Sequence, residues 1–260
     1  MKPKHLLVLS FTFLLVGFGF SQQSEAAVAV AQSAYGVNNF GGSSNTSSFT
    51  SNTTAGDTSV VLLQWYNYPG DPASTLTSVT DSQGNAYTII PGTVNQIVPV
   101  NYPFIATAIA YAAGIQGGPD TVSGNWDQNT GGSFVTIYET SPSTLDQSTK
   151  GTGSGPNPIA GALTTAADGE AVFSTIMGDQ IAGFFPEYAP PSGWVQGQST
   201  GGGSAIEATA YLLQASAGTA AIGYAQSTAS KYTISAASFA PTGSSGGGSQ
   251  PPASDTTAPT

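Results

Sequence analysis

Ser78-Val79-Thr80-Asp81-Ser82-Gln83-Gly84-Asn85-Ala86-Tyr87-Thr88-Ile89 sets two short alternating runs around a turn. Asp81 can accept backbone N–H groups across a type I turn, and Gly84 takes a left-handed conformation without steric cost. The stretch predicts a β-hairpin, and the same grammar continues outward from it. Between Ala27 and Pro241 the apolar runs are short, β-branched or aromatic, with clusters of Gly, Ser, Asn, Pro and Asp between them. Strands are expected near Val28–Ser33, Ser59–Tyr66, Leu76–Thr80, Ala86–Ile90, Phe104–Ala112, Thr121–Trp126, Phe134–Thr140, Ile159–Thr164, Ala171–Met177, Ala205–Gln214, Thr219–Ala225 and Tyr232–Phe239. This spacing belongs to all-β sandwiches and barrels. The fold expected for residues 27–241 is all-β, a single jelly-roll-like antiparallel β-sandwich burying roughly 70% of its unfolded surface.

The omissions are as informative as the runs. Among 260 residues there are 14 Asp and Glu, four Lys, no Arg and no Cys, and the one histidine is His5. Met1–His5 carries Lys2 and Lys4, Leu6 to Phe20 is an apolar run, and Ser24 and Ala26 satisfy the small-x-small rule for cleavage after Ala26. Residues 1–26 therefore read as a signal peptide, and a secreted, extracellular or cell-surface location is expected. Its removal takes Lys2, Lys4 and Glu25, leaving 2 Lys against 13 acids, a net charge of −11. Nucleic acid and anionic membrane surfaces bind through clustered Lys and Arg, so neither is expected as a partner. Without His or Cys after residue 26, a Ser-His-Asp or Cys-His catalytic system lacks its base and zinc lacks its usual nitrogen and sulfur ligands. Residues 242–260, TGSSGGGSQPPASDTTAPT, hold no large apolar side chain and read as a disordered Gly/Ser/Pro-rich linker, such as precedes further C-terminal domains.

The run Thr53-Thr54-Ala55-Gly56-Asp57 leading into Ser59–Leu63, the SVTDSQGNAYT turn, FVTIYE from Phe134 and the closing YTISAASFAP from Tyr232 resemble all-β N-terminal modules of large secreted bacterial surface proteins. The resemblance spans Ala27 to Thr260 and implies a module followed by fibronectin type III or immunoglobulin-like repeats, acting in adhesion or polysaccharide association. Its motifs are turns and core strands, so it carries no catalytic residue across.

Three kinds of candidate site follow from the residues that remain. Sugars stack on aromatic rings while polar side chains take their hydroxyls, and Phe184, Phe185, Tyr188 and Trp194 form the densest aromatic loop. The competing reading is that these rings plug one end of the sandwich. Trp126, flanked by Asn125, Asp127 and Gln128, is a second ring with glycan-like company, although a Trp ending a strand commonly covers a core edge; Tyr68 could stand at a rim. Polysaccharide or a cell-surface glycan is thus the expected partner.

Glycoside hydrolysis needs two carboxylates across the bond. Glu139 shares its strand face with Val135 and Ile137, with Glu207 or Glu170 as a possible second group; the plainer reading is a strand-end Glu bonded to loop amides. Calcium takes oxygen ligands, and Asp71, Asp120, Asp127 and Asp179 lie in turn-rich segments, but no DxDxDG-type loop is present and solvated turn aspartates are the default. No cofactor is therefore assigned. Three functions are carried forward: a non-catalytic module acting in adhesion or glycan binding or as a spacer, a jelly-roll polysaccharide hydrolase or lyase, and a structural subunit of a surface layer or filament.

Overall fold

A computed structural model describes residues 26–97, 104–179, 187–202 and 205–243. The chain is all-β and antiparallel, a sandwich with jelly-roll strand order. Its first nine strands are β1 (Val30–Asn38), β2 (Gly42–Ser48), β3 (Thr58–Asn67), β4 (Leu76–Asp81), β5 (Thr88–Ile89), β6 (Asn95–Ile97), β7 (Phe104–Ala113), β8 (Thr121–Thr130) and β9 (Gly132–Thr140). The second nine are β10 (Ser143–Gly155), β11 (Ile159–Thr164), β12 (Glu170–Asp179), β13 (Tyr188–Ala189), β14 (Val195–Gly202), β15 (Ala205–Gln214), β16 (Thr219–Gly223), β17 (Ala225–Gln226) and β18 (Ser230–Pro241).

These strands stack as four layers. An inner sheet ordered β1-β9-β3-β7, with β5 and β6 on its β7 edge, faces a second inner sheet ordered β10-β18-β12-β15-β14. An outer sheet β2-β8-β4 covers the first, and the pair β11-β16 covers the second. Val60, Leu62, Ile109 and Tyr138 meet Ala171, Phe173, Ala237 and Phe239 between the inner sheets. On the far face of the first inner sheet, Val61, Leu63, Trp65 and Ile137 pack against Val79, Val122 and Trp126; on that of the second, Val172, Ile176 and Ile234 pack against Leu163, Ala220 and Ile222. Strands β3, β9 and β12 are therefore buried at every residue, which is why SVVLLQW reads as an unbroken run rather than an alternation.

The expected hairpin at 78–89 is corrected. Its turn forms as read: the Asp81 carboxylate accepts from Gln83 N and Asn85 N at 3.1 and 2.9 Å, and Gly84 has φ 78°. The flanking strands do not pair with each other, because β4 pairs with β8 in the outer sheet while β5 pairs with β7 in the inner one. The turn is an arch between layers. Val79 of β4 and Ile89 of β5 face the same core from its two sides, which places the two strands in facing layers and not side by side.

The jelly-roll order occurs twice. The path β1-β9-β3-β7 with β2 against β8 recurs as β10-β18-β12-β15 with β11 against β16. A bulge between Val30 and Gln32, facing Thr140 and Glu139, recurs between Leu145 and Gln147, facing Phe239 and Ser238. Thr53 meets the Gly118 carbonyl with both its N–H (2.8 Å) and its hydroxyl (3.1 Å), and Thr165 treats Gly218 in the same way at 2.9 and 3.0 Å. The two halves share one central core, and β3 and β12 run the same way through it: Tyr66 and Met177 meet near one end, Leu62 and Phe173 nearer the other.

This places equivalent loops together. The turns after β1, β3 and β8 lie at the end where β3 and β12 finish, as do their counterparts after β10, β12 and β17. At the opposite end the described chain enters, with Val28 N bonded to Gly169 O, and leaves, with Thr242 N bonded to Pro142 O.

Close approach of layers constrains Gly36 in β1. A Cβ there would lie 1.8 Å from the backbone oxygen of Thr46 in β2, which no side-chain adjustment relieves. Gly36→Ala is expected to cost about 2–3 kcal/mol, read as a melting-point fall of roughly 5–10 °C by calorimetry. An unchanged melting point would contradict this crossing of β1 over β2.

Candidate functional site

The end where β3 and β12 finish carries a cleft of about 470 Å³ lined by Phe40, Tyr68, Asp71, Pro72, Gln128, Asn129 and Thr130. Three connections build it. Between β1 and β2, the Asn38 side chain accepts from Phe40 N (3.1 Å) and donates to Gly41 O (3.1 Å), clamping a tight turn. Phe40 is the consequence: its side chain is 100% exposed. After β3, the Asp71 N–H closes a turn on the Tyr68 carbonyl at 3.1 Å, and Tyr68 stands 42% exposed with its ring edge-on to buried Tyr66 at 5.6 Å. At the end of β8, Asn129 O accepts from the Asn67 side chain at 3.0 Å and the Thr130 hydroxyl donates to Gly42 O at 3.2 Å. These bonds tie the three connections to one another.

Chemically the cleft offers two rings, two primary amides and one carboxylate. Its size falls in the range of small-ligand sites. Asp71 is the one charged side chain lining it. Lys150 donates to Val94 O at 2.7 Å and Lys231 lies beside Asp179, so neither serves this cleft.

Sequence reasoning placed its rings elsewhere. Phe184 and Phe185 lie outside the described residues. Tyr188 is buried and packs edge-on to Tyr224 at 6.2 Å, and Trp194 is partly buried against the same core. Trp126 is 4% exposed and tilts against Trp65 at 5.8 Å, so it covers the core edge instead of offering a ring face. Tyr188 and Trp126 are therefore corrected as stacking residues: both rings complete a hydrophobic layer. Trp126's neighbours Gln128 and Asn129 do reach a cleft, and the rim position read for Tyr68 is the observed one. Phe40 escaped notice because a lone Phe between Asn and Gly carries no pattern; the Asn-x-x-Gly turn around it was the legible signal.

Glu139 lies at the opposite end. It is 1% exposed and its two oxygens accept from Gln32 Nε2 (2.6 Å) and Thr54 N (2.5 Å), the strand-end Glu bonded to a loop amide. The carboxylate beside it is Asp57, not Glu207 or Glu170; burial first, and the Glu139 charge second, push Asp57 up to about 6. Glu170 is buried at the same end and accepts from Ala166 N and Ala167 N at 2.9 and 2.8 Å. Glu207 lies between the inner sheets, where the Gln64 amide donates to it at 3.2 Å.

The four aspartates weighed for calcium are spread apart in role. Asp127 accepts from Thr75 N at 2.7 Å, Asp179 from Lys231 N at 2.8 Å and Asp120 from the Ser82 hydroxyl at 3.1 Å, while Asp71 faces the cleft. Among the described residues, no three His, Cys, Asp or Glu side chains converge as a metal site. Comparison with known proteins returned no matching family model, no curated relative and no solved structure.

Proposed function

We propose that this protein is a secreted, non-catalytic glycan-binding module, and that the Phe40–Tyr68 cleft is its binding site. The observation that carries the reading is a fully exposed Phe and a half-exposed Tyr over a cleft whose other lining includes two amides, a carboxylate and the Thr130 hydroxyl. Rings take the apolar faces of sugar units, and Asp71, Gln128 and Asn129 supply acceptors and donors for hydroxyls. Placement supports it further: the cleft opens at the end opposite to Val28 and Thr242, where the described chain enters and leaves the sheets.

The hydrolase reading finds no such support, since Glu139 and Asp57 line neither this cleft nor its neighbour and both Glu139 oxygens are occupied by protein donors. A glycan array with the purified chain tests the proposal. Saturable binding is expected, with Phe40→Ala and Tyr68→Ala each weakening it by about 1–2 kcal/mol, roughly 5- to 30-fold. Both side chains are exposed, so folding should be unchanged by circular dichroism. Binding that survives both substitutions would place the site elsewhere, and an array with no binder would favour the spacer or assembly functions.

A further inference from the structure

The duplicated strand order carries a consequence for binding. Strand β12 leaves the core at the same end as β3, and there the second half opens a cleft of about 580 Å³ lined by Glu187, Gln196, Ser199, Gln226 and Ser227 beside Tyr188. Residues 187–189 following β12 and 225–227 at the end of β17 line it, as residues 68–72 following β3 and 128–131 at the end of β8 line the first cleft, and Gln196 and Ser199 of β14 complete it.

The second cleft is held as firmly as the first. Ser227 N donates to Glu187 O at 3.1 Å while Glu187 N donates to the Ser227 hydroxyl at 2.9 Å, locking the two segments together. Gln226 donates from its side chain to Gly155 O and accepts from the Ser230 hydroxyl, and Gln196 donates to Tyr188 O at 3.3 Å. Tyr188, packed on Tyr224, forms a buried floor. Above that floor Glu187, Gln196, Ser199 and Ser227 are exposed.

We propose that this cleft is a second carbohydrate site, one that recognises neutral sugar hydroxyls by hydrogen bonding without ring stacking, so that one polysaccharide chain engages the protein at two points on the same end. This rests on the glycan-binding reading of the first cleft. The chemistry selects uncharged chains: the one charged side chain lining each cleft is a carboxylate, Asp71 in the first and Glu187 in the second, so uronate or sulfate groups meet repulsion while vicinal hydroxyls find an acceptor pair. Two linked sites raise apparent affinity for a polymer without raising it for a short oligosaccharide.

The test compares the wild-type chain with two double variants, Phe40→Ala/Tyr68→Ala and Glu187→Ala/Gln196→Ala, using cellohexaose, xylohexaose and mannohexaose in native mass spectrometry. The matching polymers, glucan, xylan and mannan, with alginate as the charged control, are run in affinity electrophoresis. Two bound oligosaccharides per wild-type chain, one per chain in either variant, and a 10- to 100-fold loss of polymer retention in either variant are expected, with no retention by alginate. One oligosaccharide per wild-type chain that Glu187→Ala/Gln196→Ala leaves unchanged and Phe40→Ala/Tyr68→Ala abolishes would overturn the second site and keep the first. Binding removed by Glu187→Ala/Gln196→Ala alone would keep the second and overturn the first. Retention by alginate equal to the neutral polymers would overturn the selectivity.

Discussion

Raising the pH from 4.5 to 7.5 is expected to lower the stability of this protein by about 2 kcal/mol. Asp57 at the start of β3 is 9% exposed and sits against the Glu139 carboxylate, and together burial and that charge move it from 3.8 to about 6. A carboxyl raised in the folded state binds its proton more tightly there than in the unfolded chain. Its stabilisation is therefore complete below about pH 4 and is lost as the pH rises through about 6. At about 1.4 kcal/mol per decade the full interval corresponds to about 3 kcal/mol, of which about 2 kcal/mol is lost between pH 4.5 and 7.5 because the unfolded chain's Asp57 is already mostly ionised at pH 4.5. Glu170 and Asp120 are also raised, by burial first and then by Asp146 and Asp81 respectively, and act with the same sign.

The variant Asp57→Asn separates this pair from the rest. An amide at this position can still donate toward Glu139 but no longer ionises, and the Gln32 and Thr54 donors to Glu139 remain. Urea unfolding at the two pH values should show Asp57→Asn more stable than wild type at pH 7.5 by about 1–3 kcal/mol and close to it at pH 4.5. Wild-type stability that is flat or rises over this range would refute the assignment, and so would an Asn variant with the wild-type slope.

Phe173→Ala is expected to cost about 3–5 kcal/mol. The Phe173 ring belongs to β12 yet packs within 5.1 Å of Tyr138 in β9, and within 5.9 and 6.1 Å of Phe239 and Tyr211. It stands where the two halves meet, fully buried. Removing it leaves a cavity that rigid strands on both sides cannot collapse into. Because the halves share this core, denaturant unfolding should stay a single transition in wild type and variant, moved to lower urea without a second step. Two separated transitions in the wild type would show that the halves fold independently. A loss below 1 kcal/mol would show that the central interface is looser than its geometry.

How much of this was legible from the residues depends on the layer in which they lie. Inner strands such as SVVLLQW and FVTIY announce themselves because both faces are buried. Strands β2, β10 and β14, with sequences GSSNTSS, STLDQSTKGTGSG and VQGQSTGG, were missed, since hydroxyls and glycines carry no alternation and form strands there by pairing with β8, β18 and β15. The duplication left a trace in TTAGD at 53–57 and TTAAD at 164–168, five residues too few to stand out before the matching bulges and Thr–Gly bridges are seen.

By itself the sequence determined the all-β class, the positions of the buried inner strands, and an acidic charge balance of 14 Asp and Glu against four Lys. Composition and periodicity settle these because each depends on residue type and spacing alone. Only the tertiary structure decided that the 78–89 turn is an arch, that Trp126 and Tyr188 belong to cores while Phe40 stands in solvent, that Glu139 faces Asp57, and that both clefts open at one end. Each of these depends on which distant strands pair and which layers face each other. Hydrogen bonding and burial of the whole assembly set that partnership, and no local run of residues encodes it.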